Sequence, residues 1–238
     1  VLFGITTLLW HQFNLWEERR VLGNGTLHEI VLYATAVAYI IGGALIQFSR
    51  TLRSGAMLIA AVVGLFAILQ LPEIAAKPRI YTSWGNLFET LGIMCGTLFV
   101  LARTGDPPNR QLLRFTQILF GVCAVSFALE QAFYLPDTAS LVPKWLPPGQ
   151  MFWAVFTTVA FALGAVAILS GRYALRAAQL MTAMIAIFGI TIWIPTALQH
   201  PSDLTGWAGV AQNFAIGAGA WILADWLGAL ARHGEAGP

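Results

Sequence analysis

Hydrophobic and polar positions fall in blocks along this chain. Apolar runs of about 20 residues are separated by short polar stretches such as RTGDPPNRQ. A half-buried strand alternates with period two, whereas an unbroken run of this length reads as a helix. A helix satisfies its own backbone hydrogen bonds, which a segment in lipid must do. Eight segments meet this description: 1–16, 28–49, 54–74, 84–102, 111–135, 149–170, 173–198 and 206–230. The pattern predicts an all-α, polytopic membrane protein with eight transmembrane helices.

Composition supports that reading. Hydrophobic residues make up 58% of the 238, charged residues 10%, and mean hydropathy is +0.71. Soluble domains carry about 25% charged residues, and a soluble fold of this size has too little interior to hide so much apolar surface. The lipid bilayer is therefore the first expected partner. A net charge of +2 argues against nucleic acid or a strongly acidic partner. Cys95 and Cys123 lie inside apolar runs and read as small hydrophobes rather than as a disulfide or metal pair. No secretory signal is evident, and the chain opens at Val1 already inside an apolar run, so residues are expected to precede it.

Lys and Arg near helix ends set orientation. One side carries Arg50, Arg53, Arg103, Arg110, Arg114, Arg172, Arg176 and Arg232, and the other Arg19, Arg20, Lys77, Arg79 and Lys144. The richer side is expected to be cytoplasmic, with both termini on it. Trp10, Trp16, Trp84, Trp145, Trp153, Trp193 and Trp207 map to the opposite face. There they suit a headgroup belt, or a stacking platform for a flat ligand.

The chain also repeats itself. TLRSGAMLIAAVVGLFAILQLPEI (51–74) aligns with ALRAAQLMTAMIAIFGITIWIPTA (174–197), so that Leu52–Arg53 meets Leu175–Arg176 and Pro72 meets Pro195 at a spacing of 123. Asn86 and Gly92 then match Asn213 and Gly219 at 127, which would require a four-residue insertion. WHQF at 10–13 lies near LEQA at 129–132. Two four-helix units follow, 1–103 and 111–238, joined by 104–110, with the same sense of insertion and a parallel pseudo-twofold axis. Pro72 and Pro195 would stop or kink the third helix of each unit.

FGVCAVSFALEQAFYLPDTASLVPKWLPPGQMFWAVFTTVAFALGAVAIL in the second unit has a Phe-Gly start to its first helix, a polar pair near the helix end, and a Val-Pro-x-Trp-Leu-Pro loop (Val142, Pro143, Trp145, Leu146, Pro147). A glycine-bearing helix and the basic turn RYALR follow. This stretch resembles the DoxX-like family of four-helix membrane proteins, and the first unit resembles it weakly through the repeat. Glu130–Gln131 stands where the family pattern would have a histidine, and only His11 of the first unit keeps one. The resemblance implies a bacterial inner-membrane protein associated with redox assemblies. It would be an accessory or anchor subunit, with quinone as the candidate cofactor and a periplasmic or membrane redox protein as partner.

Ionisable groups within spans raise a functional expectation because lipid makes them costly. His11, His28, Glu29, Glu73, Glu89, Glu130 and His200 all map to the tryptophan-bearing half. His11 and Glu130, at matching places in the two first helices, form the expected proton-relay pair. Trp84, Asn86, Glu73, Trp145, Trp207 and Asn213 are the expected ligand-binding residues of one cleft between the units. Against this stand interhelical hydrogen bonds for Asn86 and Asn213, and an ion-pair network for Glu73, Glu89, Lys77 and Arg79. No HxxxH, ExxH, CxxC or CxxCH spacing occurs, so no metal site is expected. The alternatives to a redox accessory are a structural subunit of a larger membrane complex and a small-solute transporter.

Overall fold

The computed structural model describes residues 1–13 and 25–232, and these residues are helical with no strand among them. The elements are α1 (Leu2–Trp10), α2 (Thr26–Leu45), α3 (Leu52–Ala76), α4 (Tyr81–Arg103), α5 (Arg110–Phe133), the short α6 (Leu135–Leu141), α7 (Gln150–Ser170), α8 (Ala174–Phe188), α9 (Ile194–Gln199) and α10 (Leu204–Arg232). A π-helical segment, Gly189–Trp193, joins α8 to α9. Seven of these segments are long and apolar enough to cross a membrane, with α8, the π segment and α9 counted as one. Leu65, Ile68, Leu163, Val166, Leu180 and Trp221 are exposed on helix surfaces, where lipid contact suits them.

The expected first span is cut differently. α1 ends at Trp10, and His11 caps it in the left-handed conformation with φ 52. Trp16, Arg19 and Arg20 lie outside the described residues. Helix α6 is a further addition, inserted where the sequence reads as loop, with Pro136 in its first turn. Pro72 does not stop its helix either: α3 runs through it to Ala76. A proline removes one hydrogen bond and tilts the helix, and packing on both sides can still carry the helix onward. Around Pro195 the same problem is met by the π segment.

Helices that are neighbours in sequence pack as antiparallel neighbours: α1 on α2, α2 on α3, α3 on α4, then α5 on α7, α7 on α8 and α8 on α10. Three contacts join these series, α4 with α5, α1 with α10, and α4 with α10. Each of these pairings has a counterpart when α1, α2, α3 and α4 are exchanged with α5, α7, α8 and α10, the α4–α10 pairing being its own, while the contacts of α6 with α5 and α7 have none. The spacing of 123 is kept through this region. α4 opens at Tyr81 and α10 at Leu204, and Trp84 and Trp207 are each the fourth residue of their helix. The insertion needed to align Asn86 with Asn213 is absent, so those two occupy different positions on their helices.

Residues 123 apart meet each other where α4 crosses α10. A Cβ placed on Gly219 would lie 3.3 Å from the Gly96 nitrogen and 3.5 Å from the Gly92 oxygen. The crossing is therefore close: a methyl at Gly219 would press on the α4 backbone, and a larger side chain would force the two helices apart. At the opposite end of the same two helices Arg103 pairs with Asp225.

Candidate functional site

About two turns from the Gly96–Gly219 crossing, toward the ends that bear Trp84 and Trp207, the α4–α10 seam becomes polar. The Gln212 amide nitrogen donates to Glu89 Oε2, again across a spacing of 123. Glu130 of α5 joins them from the side. Its carboxyl lies directly on α4 at Gly85, so that a Cβ at position 85 would overlap Oε1, Oε2 and Cδ. Glu130 is also close enough to Glu89 to act on it electrostatically. Two carboxyls and one amide, from three helices, thus share one pocket in apolar surroundings. Such a set offers carboxyl oxygens that accept hydrogen bonds beside an amide that both donates and accepts.

The helices fix these positions for local reasons. Asn109 caps α5, its side-chain oxygen accepting from the Leu112 nitrogen at 2.9 Å. Near the other end of α5, the Tyr81 hydroxyl of α4 donates to Ser126 Oγ at 3.0 Å, and the Tyr81 ring packs on Phe133 at 5.0 Å. Gln131, next to Glu130, accepts from Thr157 and Thr158 of α7 at 3.1 and 3.2 Å. Glu130 and Gln131 therefore face opposite neighbours, one toward α4 and one toward α7.

The other residues expected to carry function are placed as follows. His11 sits at the end of α1 with its ring edge-on to Tyr33 at 6.1 Å, and neighbouring Trp10 donates to the Ser202 oxygen at 2.7 Å. Glu73 pairs with Lys77 one turn on, at 3.8 Å. Asn86 is exposed, and Asn213 donates to the Ile185 oxygen of α8 at 2.7 Å. Trp145 stands 72% exposed in the loop before α7. Three other tryptophans follow one rule. The indoles of Trp84, Trp153 and Trp207 donate to the carbonyls of Pro78, Pro147 and Pro201, each six residues earlier, at 3.1, 2.9 and 3.2 Å. This brace closes the loop before α4, α7 and α10, and it uses up the only polar atom of each ring.

Sequence reasoning missed Gln212 and Gly85. A signal for Gln212 existed, because keeping the spacing at 123 sets Glu89 opposite it. The same count takes Thr7 to Glu130 and His11 to Tyr134, which caps α5 as His11 caps α1. Among the described residues no group of three or more His, Cys, Asp and Glu side chains is gathered as a metal ion would require.

Fold and site together define the class: an all-α protein with seven segments fit to cross a membrane and a half-buried polar cluster where three of them meet. No family model matches the chain, and no similar curated protein or solved structure is found.

Proposed function

We propose that this protein is a DoxX-like subunit of a quinone-linked redox assembly in the bacterial inner membrane. In this reading the Glu89–Gln212–Glu130 pocket binds the quinone headgroup. The observation that carries it is the Glu89–Gln212 hydrogen bond with Glu130 pressed on Gly85 beside it. The donor set fits. Gln212 can turn its amide N–H toward a carbonyl, Glu89 and Glu130 can accept from a hydroxyl, and Gly85 leaves room beside the backbone. Quinone supplies two-electron, two-proton chemistry when bound. The part of this chain is to orient the headgroup and to hold and pass a proton between Glu89 and Glu130. Tyr81 and Ser126 extend the polar path toward the tryptophan end.

The pocket's place between α4, α5 and α10 accords with two duplicated four-helix units, in which α1 to α4 correspond to α5, α7, α8 and α10. The matched pairings and constant spacing of 123 support this duplication. On this reading α1 is part of an eighth span. The arginine-rich end is cytoplasmic, both termini lie there, and the pocket opens toward the periplasm, where a redox partner would dock. His11, one helix removed on α10's other side, would serve the related position of the first unit.

The test is binding of a short-chain ubiquinone analogue to the protein in lipid nanodiscs, read by tryptophan quenching, together with extraction of quinone from the purified protein. Glu130→Gln and Glu89→Gln are each expected to weaken binding by about tenfold or more, the worth of one hydrogen bond to a charged group. Unchanged affinity in both variants would remove the pocket from the reading. The π segment beside Pro195 favours one alternative, a small-solute transporter with a broken helix. Proteoliposome uptake abolished by Glu130→Gln, with no quinone bound, would select it.

A further inference from the structure

Two turns below the carboxylates, the α4–α5 seam brings the chain's two cysteines together. Cys95 and Cys123 are both fully buried, at 0% exposure, near mid-length of α4 and α5. The packing of α4 on α5 sets their thiols beside each other, close enough to interact. The register of the seam is fixed independently of the sulfurs. One turn along, a Cβ on Gly92 would lie 3.2 Å from Phe127 Cζ, and Gly92 and Phe127 are three and four residues from Cys95 and Cys123. The two helices are thus locked with one thiol facing the other. Two small hydrophobes would serve packing equally well as alanines, which leaves the pairing of sulfurs to be explained.

We propose that Cys95 and Cys123 form a reversible disulfide that clamps α4 to α5 beneath the polar pocket, with a small peroxide as oxidant. One thiol attacks a peroxide oxygen, breaking the O–O bond. Its proton leaves on the departing oxygen, which becomes water or an alcohol, and a sulfenic acid remains. The second thiol attacks that sulfenic sulfur, the S–O bond breaks, and the second proton leaves with the hydroxyl as water. Both sulfurs are oxidised by one electron each and the peroxide takes up two. Neutral peroxide crosses an apolar barrier that charged oxidants do not, and sulfurs that already neighbour each other across one seam need little helix movement to reach the bonding distance of about 2.05 Å. Closing the clamp would fix Gly85 and Glu130 relative to each other, since both lie on the joined helices.

The experiment uses the full chain in nanodiscs, exposed to hydrogen peroxide, then unfolded in detergent and labelled with a maleimide polymer. Untreated protein should take up two labels, for the two free cysteines. Treated protein should take up none, migrate as a monomer, have an intact mass lower by two hydrogens, and recover both labels after reduction. Peptide mapping of the treated wild type should join Cys95 to Cys123, a readout that needs no variant. Cys95→Ala and Cys123→Ala should each abolish the monomeric mass loss. Retention of both labels, addition of oxygen without a crosslink, or a bond found only between two chains would each overturn the proposal. None of these outcomes depends on whether quinone binds.

Discussion

At the scale of single residues, the site is held by one missing side chain. Gly85 has no Cβ because the Glu130 carboxyl occupies that volume. Gly85→Ala is expected to lower stability by about 1 kcal/mol, the low end of an overpacking cost, because the Glu130 side chain can swing aside. Most of that loss should disappear when Glu130→Ala is combined with it, a non-additivity that thermal melts of the single and double variants would reveal. Simple additivity would mean that the two residues do not share the space. A second residue-scale prediction concerns Asp203, just before α10. Hydrogen bonds from the Thr205 nitrogen and hydroxyl, both at 3.0 Å, hold its carboxyl below the ordinary value of 3.8. Because the folded value is the lower one, this contribution is present above the unfolded value and fades as pH falls through the folded one. A carboxyl NMR titration should therefore show Asp203 moving up toward the ordinary value in Thr205→Val. No movement would reassign the cause.

At the scale of elements, glycine decides how closely helices approach. Gly96 and Gly219 let α4 and α10 cross with their backbones almost touching, and the Glu89–Gln212 bond forms only because of that closeness. Gly219→Leu should wedge the helices apart, break that bond and lower the melting temperature in detergent far more than Gly228→Leu. Gly228 lies on the same helix and has its nearest atoms 3.6 and 3.8 Å away, both at the ends of side chains. Helix ends contribute as well. Asn109→Ala removes the α5 cap and is expected to cost about 1 kcal/mol, measurable as a shift in the same melt. Prolines act by context here. Pro72 is absorbed within a continuous α3, while the corresponding Pro195 is preceded by a π-helical turn. Local sequence predicts a disturbance at both. Which form it takes depends on the neighbours: Gly189 faces the Phe214 ring and the Asn213 amide of α10, and Trp193 lies over Gly209.

At the scale of the whole molecule, α4 packs on both α5 and α10, and the polar cluster lies where these three helices meet. Much of this was legible beforehand. Apolar runs located seven spans to within a few residues, because a helix in an apolar medium must be long, continuous and nearly uncharged. Glu130 stood out as an ionisable group inside such a run. Its partners did not. His11 is its companion in the alignment of WHQF with LEQA, whereas the Glu130 carboxyl lies against Gly85 and near Glu89. Of the tryptophans read as a headgroup belt or a ligand platform, Trp84, Trp153 and Trp207 donate their indole N–H to proline carbonyls, a bond that depends on how each loop folds back.

The sequence by itself determined the medium, the helices and their order, since hydropathy acts locally and each span closes its own hydrogen bonds. Only the tertiary structure decided which few polar groups face one another. In an interior made almost wholly of interchangeable apolar side chains, helix rotation and depth are set by where glycines allow close contact. A shift of one residue, about 100° around a helix, would have turned Glu89 away from Gln212.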